Sequence, residues 1–333
     1  MTKVIADSTC DLSDKLIKKY DIDIIPLYIH MGDKEYKDKV EITPDEIYKW
    51  SDENRTTPKT AAPSVEDVIK IIKPYVEQGQ DIIIFSISEE MSTTANVMRM
   101  AAQTLSYSEH VFVVDSQNLS TGIGLLVIEA AIMAKKNIAA RDIVDKIEAL
   151  KTCVRASFVV DTLVYLHRGG RCSSTSALVG GVLKLKPKIV VQDGKMNADK
   201  KYRGKIDKVI LEYVKDMEKD LLHAKKDRVF ITHSGCPDEV IDKVKEYLKQ
   251  LNYFKEILVT RAGGVISSHC GPGTLGVLFI AGKEVFGPYD KQFDINHNGI
   301  MENDEKIAEE AHIRYVVEKE NIDKNEEEES EEE

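Results

Sequence analysis

The chain has 333 residues, 42% of them apolar, which is enough for two domains with real cores. Its formal charge of −11 is mostly a tail: Glu318 to Glu333 hold ten acidic and two basic residues, a net of −8, leaving −3 on the other 317. That balance excludes the broad basic surface of a nucleic-acid binder. Five scattered cysteines (Cys10, Cys153, Cys172, Cys236, Cys270), never in a CxxC pair, argue against a disulfide framework or zinc site and point to a reducing cytoplasm. The N-terminus lacks the apolar run of a signal peptide. The best apolar stretch, Ile123 to Ala134, contains Glu129 and is too short to span a bilayer, so a soluble protein is expected.

In chain order, Lys3–Ala6 reads as a buried strand, with Asp7-Ser8-Thr9 capping a helix that begins near Leu12. Ile22–Ile29 reads as a second apolar strand, and Met31–Lys37 as a turn into an edge strand. Thr43-Pro44-Asp45-Glu46 is a helix start with Thr as N-cap, Pro in the first turn and Glu three residues on. Arg55–Ser64 reads as a loop. Ser64 caps a helix running to about Val76, Asp81–Ile87 is an Ile-rich strand, Ser88–Thr94 a polar turn and Ala95–Leu105 a helix. A strand at Val111–Val114 precedes two helices, Thr121–Lys136 and Arg141–Val154.

A strand at Phe158–Val160 leads into Leu163–Pro187, where an apolar run meets Gly169, Gly170 and a single Arg171 before a small-residue helical segment. Two readings stand there: a helix C-cap glycine followed by a surface arginine, or a turn that holds a planar cationic fork at a rim. Asp193-Gly194 between Lys188–Val191 and Lys195–Ala198 is the strongest hairpin signal. Helices at Ile206–His223 and Pro237–Leu251 alternate with strands at Arg228–Thr232 and Glu256–Thr260. Val265–Gly273 reads as a Gly/Ser/His turn before a final strand, Leu275–Ala281. Strand and helix alternate in both halves, which predicts two α/β domains, the first with a mainly parallel sheet. The expected boundaries are 1–156, 157–284, an extension at 285–317 and a disordered acidic tail at 318–333.

Small polar residues cluster after strands: Asp7-Ser8-Thr9, Thr60, Ser88 to Thr94, Ser116 and His269. Ligands of α/β sheets bind outside the carboxyl ends of strands. Several hydroxyls with one histidine suit a buried carboxylate, although each hydroxyl taken singly is more often a cap. There is no GxSxG elbow, no nucleotide-binding glycine loop and no HExxH spacing.

Taken in series, ADSTCDL, PKTAAPS, ISEEMSTTAN, VVDSQNLSTGIGLLVIEAA, LVYLHRGGR, LKLKPKI with DGK and YRGK, and SSHCGPGTLGV resemble the DegV family over residues 3 to 282. These are bacterial fatty-acid-binding proteins that serve as carrier subunits of a fatty acid kinase. The resemblance implies a ligand cleft between the two domains that holds a long-chain fatty acid. Thr60, Ser92 and His269 would hold the ligand carboxylate. Arg171 would stand near the carboxyl end, where the kinase subunit docks and phosphorylates. It further implies a non-catalytic protein that requires no cofactor beyond its ligand, with transient contact with a membrane surface. Departures are Ala61 in place of the usual Ser, a Met91–Ala95 turn without the usual glycine and aromatic, and Glu89 and Glu90 beside the site.

Beyond the resemblance, Asp294, Asn296, Asn298, Ile300, Glu302 and Glu305 have the spacing of a twelve-residue calcium loop, with Gly299 at its sixth position. Two other readings follow from the same residues. One is a lipid or ester hydrolase using Ser92 and His269. The other is a calcium-responsive interaction protein acting through the C-terminal extension.

Overall fold

The computed structural model describes residues 2–172 and 185–282, and the candidate calcium loop and the acidic tail lie outside them. Strands β1 (Thr2–Asp7), β2 (Ile22–Ile25), β6 (Asp81–Ser86) and β7 (Val111–Asp115) form a sheet in the order β2-β1-β6-β7, every pair parallel. The two central strands are almost continuously buried, as expected when helices cover both faces. Helices α3 (Val65–Val76) and α4 (Thr94–Thr104) pack on one face through Val68, Ile72 and Met98.

A small antiparallel sheet, β4-β3-β5, is built from β3 (Tyr28–Met31), β4 (Lys34–Lys37) and β5 (Lys59–Ala61). The second half forms a six-stranded mixed sheet, β10-β9-β8-β13-β11-β12. Its strands are β8 (Val154–Val159), β9 (Leu185–Gln192), β10 (Lys195–Arg203), β11 (Ala224–Ser234), β12 (Glu256–Arg261) and β13 (Thr274–Ala281). Only β11 and β12 run parallel. Helices α8 (Ile206–Asp216) and α10 (Asp238–Gln250) cover one face through Tyr213, Val214 and Val244.

The element between the two large sheets is α5 (Thr121–Lys135). It is buried on nearly all sides and touches β1 as well as β8 and β13. A helix apolar all round needs cover all round, and the sheets supply it. Their side chains share one core, with Val4 and Phe85 in the same cluster as Phe158, Ile189 and Leu278.

Several expectations shift. Pro26 and Leu27 split the expected strand at Ile22–Ile29 into β2 and β3. The expected loop at Arg55–Ser64 contains β5, because Thr60 pairs with Ile29. Asp7 caps a 3-10 turn, Ser8–Cys10, while α1 (Asp14–Tyr20) begins after Ser13. The expected turn at Val265–Gly273 is a helix, α11 (Gly264–Cys270).

Tyr213 is fully buried beneath the six-stranded sheet. Its hydroxyl donates to the Ser157 carbonyl at 2.7 Å and accepts from the Val277 amide at 3.0 Å, so it bridges a cross-strand pair of β8 and β13. Tyr213→Phe leaves that buried amide without this acceptor. We expect a loss of about 1–3 kcal/mol in urea denaturation, with the urea dependence unchanged.

Candidate functional site

Thr60, Ser92, His269 and Arg171 line one cavity of about 490 Å³, part of it open to solvent. They come from four separate elements, each fixed by its own local chemistry. Thr60 stands on β5, held by pairing with β3. Ser92 lies in the loop after β6. Buried Asp7 secures the start of that loop by accepting from the Ile87 amide at 2.7 Å, and the Ser88 amide donates to the Asn118 carbonyl at 3.0 Å.

His269 rides on α11. That helix begins at Gly263, which has no side chain to cap it, and two distant carboxylates take the role. Asp11 accepts from the Gly263 amide and Asp38 from the Gly264 amide, each at 2.7 Å. A Cβ on Gly264 would stand 2.6 Å from Ile29 Cδ1 and 2.8 Å from Ile47 Cδ1, so the helix start fits only without one. Arg171 follows Gly170, which ends α7 (Val164–Gly169) in the left-handed region at φ 68°. The two readings of this stretch therefore coincide. Gly170 is a helix C-cap, and the exposed Arg171 after it lines the cavity rim, donating to the Gly169 carbonyl at 2.7 Å.

Within the cavity, Thr60 Oγ1 and His269 Nε2 are hydrogen-bonded at 2.8 Å. His269 Nδ1 is buried without a partner among the described residues. Burial, aided by the Arg171 charge, pushes the imidazole down to about 4, so at neutral pH it is uncharged. Ser92 Oγ shares a hydrogen with Thr94 Oγ1 at 2.8 Å and accepts from the Thr94 amide. Ser92 and His269 share no hydrogen bond with each other. A serine without the histidine, and a histidine held well below neutrality, make a poor nucleophile and base pair. The two acidic departures are engaged elsewhere: Glu89 pairs with Arg99, and Glu90 with Lys195 at 3.4 Å.

A second cavity of about 320 Å³ adjoins the first, and the two share Leu119, Ile266 and Cys270 as walls. Phe158, Ala262 and Leu278 extend it toward the six-stranded sheet. Its hydroxyls are spent on neighbouring hydroxyls, on main chain or, for Ser120, on the Asp11 carboxylate at 2.6 Å. Thr232 bonds Thr121 at 2.6 Å, Ser234 donates to the Gly271 carbonyl at 2.7 Å, and Thr274 to the Cys270 carbonyl at 2.9 Å. Its lining is mostly apolar, apart from His233, whose buried Nδ1 has no partner among the described residues. The Leu27, Met91, Met196 and Val265 walls of the first cavity carried no sequence signal beyond hydrophobicity.

A family model described as "Uncharacterised protein, DegV family" matches residues 1–282. The chain belongs to the DegV family. A DegV domain-containing protein of Clostridium perfringens is 32% identical over 84% of this chain and 98% of its own length. A solved structure from Thermus thermophilus, described as fatty acid binding of a DegV family protein, is 30% identical with a TM-score of 0.78, covering 84% of this chain and 99% of that one. Another, from Eubacterium ventriosum, is described as a stearic-acid-binding protein. It is 26% identical with a TM-score of 0.74, covering 86% and 100%. Both DegV neighbours are described by a ligand they bind, not by a reaction. No helix among the described residues of this DegV chain is long and apolar enough to cross a membrane, and no metal-holding cluster occurs among them.

The carboxylates that cap α11 carry a measurable signature. Asp11 is 1% exposed, and burial pushes its carboxyl up to about 6, against the pull of Lys39, Ser120 and the Gly263 amide. A native pKa above the unfolded value means the folded state holds the proton more tightly. This contribution to stability is full below about pH 4 and is lost as pH rises through 6. Asp11→Asn removes the titration. Its stability relative to wild type should therefore rise by about 3 kcal/mol between pH 4 and 7 in urea denaturation. A difference that stays constant with pH would show that Asp11 titrates normally.

Proposed function

We propose that this protein binds one long-chain fatty acid, with its carboxylate among Thr60, Ser92 and His269 and its acyl chain in the adjoining apolar cavity. One observation carries the reading: a cluster of hydroxyls and a neutral imidazole at one end of a space whose other end is apolar. The likeness to fatty-acid-binding DegV structures above 25% identity supports it. A carboxylate leaving water needs several donors, and two hydroxyls can each turn a hydrogen toward it. Burying a sixteen-carbon chain gives on the order of 12 kcal/mol gross at about 0.8 kcal/mol per methylene. Association and ordering cost roughly 4–15 kcal/mol of that. Affinity then comes from the tail, and the head group sets orientation. In this reading the two halves, 1–156 and 157–284, act as separate domains that enclose the ligand.

The test is native mass spectrometry of the purified full chain, with extraction and identification of what it holds. Ser92→Ala and Thr60→Val each remove one donor to an anion, which should weaken fatty acid binding about 10–100-fold while leaving the fold intact. Wild-type occupancy in both variants would sink the head-group assignment.

The finer part of the proposal is that the bound acid is presented to a separate kinase subunit for acyl-phosphate formation. Exposed Arg171 at the rim supports it, because a guanidinium in that position is suited to meet a partner's acid or a developing phosphate. Arg171→Ala should retain fatty acid close to the wild-type level yet lose most acyl-phosphate formation with a cognate kinase and ATP. Arg171→Lys should restore only part of it. A variant that binds poorly but still supports phosphorylation of the remaining lipid would place Arg171 inside the pocket instead.

A further inference from the structure

The two cavities give a ligand a direction. Thr60, Ser92, His269 and Arg171 line the outer one, and Leu119, Ile266 and Cys270 are the walls it shares with the inner one. Beyond those shared walls the inner cavity ends on the six-stranded sheet, on the face turned away from α8 and α10.

The register of the sheet identifies the residues of that floor. Phe158 of β8, Gly276 of β13, Thr232 of β11 and Thr260 of β12 stand side by side across it. Side chains alternate along a strand, so Thr274, Gly276 and Leu278 share one face of β13. Leu275 and Val277 point the other way, into the core beneath α8 and α10. Phe158, Thr232, Thr274 and Leu278 surround Gly276, and all of them line the cavity. Gly276 is thus a notch, one side chain deep, among filled positions.

The backbone itself does not ask for glycine there. Gly276 is not among the glycines with positive φ, and its pairing with β8 and β11 runs without a slip from Leu275 to Phe279. A glycine inside a regular strand weakens it and marks a place where something approaches closely. A Cβ on Gly276 would stand 2.7 Å from the Ser157 carbonyl oxygen, 3.0 Å from Phe158 Cβ and 3.2 Å from Leu278 Cδ1. The first neighbour belongs to the adjoining strand. The other two are side chains of the cavity floor, so the space a Cβ would fill belongs to the cavity.

We propose that Gly276 is the stop for the acyl chain: its missing side chain leaves room for the terminal methyl between Phe158, Thr232 and Leu278, and so sets the longest straight-chain fatty acid the site takes. The Thr232 hydroxyl is bonded to Thr121 at 2.6 Å, so this residue turns no free donor toward a methyl group. A longer chain meets a close-packed sheet, where added carbon is accommodated only by strain. The stop rests on the lipid-binding reading above, and the experiment separates the two.

Displacement of cis-parinaric acid from the full chain by laurate, myristate, palmitate, stearate and arachidate gives a length profile. Gly276→Ala fills the notch with one methyl, so the ratio of stearate to myristate affinity should fall about four-fold, the worth of one methylene. Phe158→Leu opens the floor beside the notch, so the ratio of arachidate to palmitate affinity should rise by about the same factor. Ratios carry the test because general destabilisation weakens all the acids alike. A folded Gly276→Ala with the wild-type ratio would make the glycine a strand-packing residue only and overturn the stop. If Gly276→Ala does not fold, Phe158→Leu decides alone, and an unmoved ratio there overturns it. A wild-type protein that binds none of these acids would overturn the lipid reading, and the stop with it.

Discussion

Two carboxylates from the first forty residues grip the start of a helix more than two hundred residues later. Asp11 and Asp38 accept the Gly263 and Gly264 amides, and each also takes a serine hydroxyl, from Ser120 and Ser8. Both are buried, and burial raises both pKa values. An unpaired carboxylate there would be costly, so the arrangement persists because every element around it contributes. The amides need an acceptor, the carboxylates need donors, and Lys39 lies 3.7 Å from Asp11. Burial works to lower the Lys39 pKa, but Asp11, Cys10 and Asp38 outweigh it. α11 is only seven residues long and would fray without these partners. Fixing its first turn fixes His269 at its last turn, where Nε2 meets Thr60. The meeting of the two halves at the cavity is thus decided by a contact that lies outside it.

The electrostatics of the cavity follow from what surrounds it. A protonated His269 would have to sit beside Arg171 in a poorly solvated wall, so the imidazole stays neutral. Neutral donors next to a carboxylate orient it without the strong pull of a buried ion pair, whose desolvation can exceed its Coulomb gain. The fixed cation stands at the rim, in solvent, where its charge costs little. The acids near the site pair with neighbouring cations at the surface, Glu89 with Arg99 and Glu90 with Lys195. An anion entering the cavity meets hydroxyls and the outer field of an arginine.

Much of this was legible in the sequence because local chemistry and tertiary position agree. The Thr43–Glu46 capping box, the Asp193-Gly194 hairpin and the Ile-rich run at Asp81–Ile87 each form where their residues say they should. Thr60, Ser92, His269 and Arg171 line one cavity, although Thr60 stands within a strand and His269 within a helix where post-strand turns were expected. What stayed hidden depended on partners distant in sequence. Glycines at 263, 264, 271 and 273 disguised α11 as a turn, because its caps are Asp11 and Asp38 and no local residue announces them. β5 looked like a loop because its strand partner among the described residues is β3, thirty residues back. Met196 carried no mark to separate it from core methionines, and only the hairpin's reach across to Ser88 brings it to the cavity.

Polar and apolar character are divided along the cavity pair, and that division bears on whether such a site binds or reacts. A hydrolase needs a nucleophile, a base and an oxyanion hole converging on one atom. Here Ser92 is tied to Thr94 and His269 to Thr60, so the two possible partners in such a reaction are spent on separate threonines. The hydroxyls of the inner cavity are likewise engaged with neighbours, which leaves its lining mostly apolar apart from His233. Arg171 at the rim is partly engaged as well, through the Gly169 carbonyl, and keeps an exposed face. An arrangement of this kind does not bring a nucleophile and a base to one atom.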